Sequence, residues 1–180
     1  ITGGLGGLGL RAAAMLVSQV GATAVHLASR SGRIARGGQG LHDHLNALQG
    51  SSKSNVLATA SDVADANEMR MLMDAVGPLR GVLHAAGVLR DGMARSMTTE
   101  HVSVVIASKA LAASRLYSLA SGQALESLAF FSSTAAAFGN VGQANYAAAN
   151  TSLDALALSC RLGGRIGSSL QIADVRGAGM

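Results

Sequence analysis

Thr2-Gly-Gly-Leu-Gly-Gly-Leu-Gly9, running directly into Leu10-Arg-Ala-Ala-Ala-Met-Leu-Val17, is the stretch on which the fold turns. Glycines 4, 6 and 9 fit G-x-G-x-x-G, and glycines 3, 7 and 9 fit T-G-x-x-x-G-x-G. The physical content of such a run is a tight turn whose bare backbone lets a pyrophosphate approach. The helix that follows aims its positive N-terminus at the phosphates. With 23 glycines in the chain, the pattern by itself would fit any sharp turn. Its surroundings give it weight, because Thr23-Ala-Val-His-Leu-Ala-Ser29 reads as the next strand and completes the strand–helix–strand unit the motif needs. Thr2, Gly3, Gly4, Gly6, Gly7, Leu8 and Gly9 are therefore the expected dinucleotide contacts.

The end of that second strand bears on which dinucleotide is bound. An acid about 20 residues beyond the glycines would hold the free ribose hydroxyl of NAD. Here the chain reads Ser29-Arg30-Ser31, with no acid until Asp43. A guanidinium suits a ribose 2′-phosphate through charge and paired donors, so Ser29 and Arg30 point to NADPH.

Working outward, strand-like and helix-like segments alternate. A glycine-rich loop, Gly32 to Gly40, precedes a helix expected over Leu41–Leu48. Strands are expected at Asn55–Ala60, Leu79–Ala86, Ser127–Ser133 and Ser168–Ala173, and helices at Glu68–Ala75, Thr98–Ala120 and Gln143–Leu162. Strands separated by helices of that length predict a Rossmann-type doubly wound parallel sheet with helices on both faces, a three-layer α/β/α fold. The chain opens where a first strand should already be ending and stops in what reads as a loop at Gly177-Ala-Gly-Met180. The expectation is one catalytic domain over 1–180 with a truncated first strand, cut from a longer polypeptide.

Composition narrows the function classes. Hydrophobic residues make up 49% and charged ones 13%, which describes a core-rich chain and not a disordered one. No apolar run is read as a membrane span and no segment as a signal peptide. Cys160 is alone and cannot form an internal disulfide, which favours a reducing, cytoplasmic location. The net charge of +4 is scattered, without the clustered basic patch of a nucleic-acid binder. His42-Asp-His44 lacks a third partner for a metal, so no metal site is expected.

The chemistry is concentrated near Asn145-Tyr-Ala-Ala-Ala-Asn150. Tyr146 and Asn150, four apart on a helix, share one face. Ser133 ends the preceding strand, and Lys109, one of only two lysines, lies on the long helix before it. A phenol, a hydroxyl, an ammonium and an amide can together protonate a carbonyl oxygen as hydride arrives.

These strings resemble the short-chain dehydrogenase/reductase superfamily and, within it, the ketoreductase domains of polyketide synthases and animal-type fatty acid synthases. The matching segments are Thr2 to Gly9, Ser61-Asp-Val63, His84-Ala-Ala-Gly-Val88, Phe131-Ser-Ser133, Gly142 to Asn150 and Leu153-Asp-Ala-Leu156. Most of the superfamily carries Lys four residues after the Tyr and Asn on the preceding helix. The synthase ketoreductases exchange the two, as Lys109 and Asn150 do here. The resemblance implies Tyr146 as proton donor and Lys109 as the cation that lowers its pKa and holds the nicotinamide ribose. It implies Ser133 as the ketone's hydrogen-bond donor and Asn150 as the group orienting the lysine or a relaying water. Asp62 is placed to accept from the adenine amino group, with Val63 beside the ring, unless Asp62 only caps the next helix. Ala85, Ala86 and Gly87 keep the strand end small where the cofactor lies flat. His84 is expected to pack structurally.

The substrate implied is a β-ketoacyl thioester on an acyl carrier protein, handled beside neighbouring synthase domains. A catalytically silent synthase domain and a free-standing carbonyl reductase are the alternatives. Two departures stand out. The chain has no Trp, and the positions that report product stereochemistry in bacterial synthases read Leu89-Arg90-Asp91 and Phe138.

Overall fold

The structure, a computed structural model, describes residues 1–35, 37 and 39–175. The loop expected over 177–180 lies outside the described residues, as do two positions of the Gly32–Gly40 loop. Five parallel strands form the sheet: β1 (Ala24–Ser29), β2 (Asn55–Ala60), β3 (Gly81–His84), β4 (Ser127–Ser133) and β5 (Ser168–Ile172). β1 pairs with β2, and β3, β4 and β5 form a second ladder in that order. Thr2 joins the two ladders through parallel bridges to Ala28 and His84. Its N–H donates to the Leu83 carbonyl at 3.0 Å, and Ala85 N–H donates back to the Thr2 carbonyl at 2.9 Å. Across the sheet the order is thus β2, β1, Thr2, β3, β4, β5. Strand order reverses direction at Thr2, and a doubly wound sheet opens its ligand crevice at that point, above the carboxyl ends of the strands.

Parallel neighbours need crossovers, and helices supply them. These are α1 (Gly7–Met15), α2 (Leu41–Gln49), α3 (Ala66–Val76), α4 (Thr99–Ile106), α5 (Ala112–Ala120), the short α6 (Ala135–Phe138) and α7 (Ala144–Leu162). Two apolar clusters fasten them. Leu10 and Ala13 of α1 and Leu41 and Leu48 of α2 pack with Val25, Leu27 and Val56 of β1 and β2. Met69 and Met73 of α3, Ala112 to Ala120 of α5 and Leu153 to Cys160 of α7 pack with Val82, Leu128 and Phe130 of β3 and β4.

Most expected elements are present with their ends moved by a residue or two. The strand expected over Leu79–Ala86 is trimmed to Gly81–His84, whose register runs from Gly81 opposite Ser127 to His84 opposite Phe130. Leu79 leaves the ladder, because its N–H goes to the Gln123 side chain at 2.6 Å. The long helix expected over Thr98–Ala120 starts at Thr98, whose hydroxyl caps it by accepting from His101 N–H. It then widens into a π-helical turn, Ala107–Leu111, with Lys109 at its centre.

One expectation needs correcting. Thr99–Ala120 is a 22-residue stretch whose mean hydropathy reaches 1.3, long and apolar enough on composition to cross a membrane. Its buried residues, Val105, Ser108, Lys109, Ala112, Ala113, Leu116 and Ala120, recur at helical spacing. The last four belong to the core beneath β3 and β4, so one face of the helix packs on the sheet.

Candidate functional site

The glycine-rich turn is built so tightly that side chains do not fit. Gly3 has φ +67°, and a Cβ there would come within 2.6 Å of the Ala85 and Ala86 backbone. A Cβ on Gly9 would lie 2.4 Å from the Gly3 carbonyl oxygen. Gly6 caps α1 without a side-chain hydrogen bond, and no acid lies in the first turn. The N–H groups that begin α1 are therefore free of local side-chain partners, as an anion site requires. This backbone cradle fits the pyrophosphate of a dinucleotide. The Thr2 side chain does not face it: its hydroxyl is buried against His84 Nδ1 at 2.7 Å.

Ser29 and Arg30 follow at the end of β1, with Arg30 exposed. Asp62 lies beyond the end of β2, where its carboxylate accepts from Ala64 N–H at 3.0 Å and forms a turn. It does not cap the next helix. That role belongs to Asp65, which accepts from Asn67 and Glu68 N–H and has its pKa lowered by those two bonds. Val63 is buried in the core beside Met69 and Met73. Ala85, Ala86 and Gly87 follow β3, half-buried, directly behind Gly3.

The four proposed catalytic side chains come from three elements and converge on Tyr146. α7 carries Tyr146 and Asn150, one turn apart, β4 ends in Ser133, and the π-helical turn presents Lys109. Lys109 is only 3% exposed, and its ammonium donates to the Phe131 carbonyl at 2.9 Å while standing 5.3 Å from the centre of the Tyr146 ring. Its methylene stem runs against Gly87, where a Cβ would meet Cε at 2.7 Å. Burial pushes the Lys109 pKa down to about 8, against the opposing pull of Asp154. Asp154 is itself held by Ser169 and Gln171 of β5.

The Tyr146 phenol is pushed up by burial, and the Asn150 and Ser133 side chains beside it pull the other way. The expectation that Lys109 depresses this phenol is therefore not met in the protein alone: the cation faces the ring, and desolvation dominates. Asn150 is wholly buried, and its amide nitrogen donates to the Tyr146 carbonyl at 2.8 Å. Its Oδ1 is buried with no partner, an acceptor waiting for a donor.

Three contributors lie outside the four expected catalytic residues. The Phe131 main-chain carbonyl holds the ammonium. His84 links Thr2 to the Lys109 carbonyl. Asn145, next to the tyrosine, donates to the carbonyls of Arg90 and His101 and accepts from Tyr146 N–H. Gln143 to Asp91 (3.0 Å) and Gly92 N–H to the Gly142 carbonyl (2.8 Å) add to that seam, which ties the start of α7 to the loop after β3. Each of the three stands inside a string quoted from the sequence, but no string assigns it these bonds. His42, Asp43 and His44 lie on or at the start of α2, and among the described residues no group of three or more His, Cys, Asp or Glu could hold a metal.

Comparison with known proteins gives the same outline. The family model described as the KR domain matches residues 1–177. Polyketide synthase GfsB of Streptomyces halstedii is 41% identical over 173 residues, which is 94% of this chain and 3% of that protein. A structure described as A-type ketoreductases from a modular polyketide synthase superposes with TM-score 0.87 at 37% identity, over 99% of this chain and 38% of that one. The ketoreductase from the first module of phoslactomycin biosynthesis in Streptomyces sp. HK803 gives TM-score 0.89 at 36% identity, over 99% and 42%. The chain thus spans less than half of each of these two structures and a small part of that curated relative.

Proposed function

The chain belongs to the KR domain family, and from that membership we propose that it reduces a ketone with NADPH, as the reducing domain of a longer, cytoplasmic synthase. The substrate in this reading is a β-ketoacyl thioester carried on an acyl carrier protein, and the product is the β-hydroxyacyl thioester. One observation carries it: Lys109, Ser133 and Asn150 all face Tyr146, on the carboxyl side of the sheet where the glycine turn also lies.

A bound dihydronicotinamide supplies hydride to the ketone carbon. Tyr146 then delivers a proton to the oxygen, and its raised pKa keeps that proton in place at neutral pH. The Ser133 hydroxyl donates to the same oxygen and steadies the negative charge that develops there. The Lys109 ammonium, charged below about pH 8, favours the phenolate that Tyr146 becomes. Asn150 Oδ1, the unpaired acceptor, holds a water that relays a proton from bulk solvent to that phenolate. Arg30 supports NADPH over NADH by its charge at the end of β1. The complete set of four weighs against a silent domain, and the exchanged Lys109 and Asn150 weigh against a free-standing reductase.

Tyr146→Phe tests the reading, since it removes one hydroxyl and no packing volume. NADPH binding should persist while reduction of a β-ketoacyl thioester falls at least about 10²-fold, the scale of general acid catalysis. Equal rates in variant and wild type would remove Tyr146 as the acid.

A further inference from the structure

His84 ends β3 fully buried, with both ring nitrogens engaged. Nδ1 is 2.7 Å from the Thr2 hydroxyl, and Nε2 is 3.1 Å from the Lys109 carbonyl oxygen. A carbonyl oxygen can only accept, so Nε2 carries the proton, Nδ1 is bare, and the Thr2 hydroxyl donates. Burial, with the Lys109 charge second, holds the ring pKa down at about 3, so the imidazole stays neutral. Its two ends are not equally dependent on it. Thr2 is also fastened by main-chain bonds to Leu83 and Ala85. Lys109 sits in the middle of the π-helical turn, where hydrogen bonding is irregular: Ala112 N–H is shared between the Ala107 and Lys109 carbonyls.

We propose that His84 is a positioning residue: its Nε2–H fixes the turn Ala107–Leu111 so that the Lys109 stem passes Gly87 and its ammonium reaches Tyr146. The imidazole is an uncharged strut between the residue that opens the glycine-rich turn and the residue that holds the catalytic cation. Its effect on turnover rests on the ketoreductase reading, whereas its effect on NADPH affinity needs no turnover.

His84→Gln and His84→Asn in the full-length protein separate the two ends. The Gln amide nitrogen lies as far from Cβ as Nε2 does, so it restores the bond to Lys109 and leaves the Thr2 hydroxyl without its acceptor. The Asn oxygen stands where Nδ1 stood, so it restores the Thr2 bond and leaves the Lys109 carbonyl without its side-chain donor. Each variant loses one buried hydrogen bond, and their melting temperatures should fall alike. His84→Asn should lower kcat about tenfold or more, with KM for the ketone within about threefold, and should weaken NADPH binding measured by its fluorescence. His84→Gln should retain kcat and NADPH affinity within about threefold of wild type.

Asn performing as well as Gln, or kcat and affinity tracking melting temperature alone, would overturn the proposal. If neither variant folds, 15N NMR of the wild-type imidazole decides. A proton on Nε2 supports the strut, and a proton on Nδ1, which would leave the Lys109 carbonyl without its donor, overturns it. A wild-type protein inactive on the thioester would remove the ketoreductase reading, and the NADPH affinities would still decide the role of His84.

Discussion

Arg30 and Tyr146 show how much one side chain can decide at this site. Tyr146 is a half-buried phenol whose pKa is raised, and Lys109 is a buried ammonium whose pKa is lowered, so burial disfavours the charged form of each. Arg30 differs in being exposed, and in the proposed function it meets the 2′-phosphate of NADPH. Arg30→Ala should cost about 1.5–3 kcal/mol of NADPH binding, roughly ten- to a hundredfold, and leave NADH nearly unchanged. Titration with both nucleotides checks this, and an intact preference for NADPH would assign the phosphate to other groups.

The π-helical turn, the end of β3 and the start of α7 work as one device at the scale of elements. Widening the helix at Ala107–Leu111 places Lys109 where its stem must cross the chain at Gly87. A Cβ at Gly87 would press on Cε of that stem, a flexible chain that can swing aside, whereas a Cβ at Gly3 would press on main chain that cannot. Gly87→Ala should therefore lower kcat about tenfold by displacing the ammonium, while the melting temperature moves little. Turnover assays and thermal melts on the same preparation test this. A large loss of stability with kcat preserved would contradict the account.

Across the whole molecule, the two apolar clusters leave a polar spine between them, Thr2, His84 and Lys109, all buried. That spine makes the fold sensitive to acid. The folded chain refuses a proton at His84 until about pH 3, while the unfolded chain accepts one near 6.5. Between those values the unfolded state binds more protons, so the contribution is complete above about 6.5 and is lost as pH falls toward about 3. Melting temperature measured against pH should decline across that window. His84→Gln, which does not titrate, should decline less steeply, and parallel curves would place the acid sensitivity elsewhere.

The local sequence determined the glycine turn, the alternation of strands and helices, and the shared face of Tyr146 and Asn150. Each follows from turn chemistry or from a period of a few residues, and such signals survive in a linear reading. The N-cap of α3 shows where even local reading slips, since the linear reading offers only Asp62 and the cap is Asp65. Tertiary structure alone decided the rest. Thr2 bridges two ladders through partners 26 and 82 residues away, Ala28 and His84. Lys109 finds its acceptor in a main-chain carbonyl, at Phe131, and a carbonyl has no residue signature. The seam from Gln143 and Asn145 to Arg90 and Asp91 likewise joins loops far apart in the chain. The apolar stretch Thr99–Ala120 lays one face on the core because β3 and β4 give that face a sheet to cover. Contacts at such separations depend on which surfaces the packed core brings together, and no period or motif in the chain encodes them.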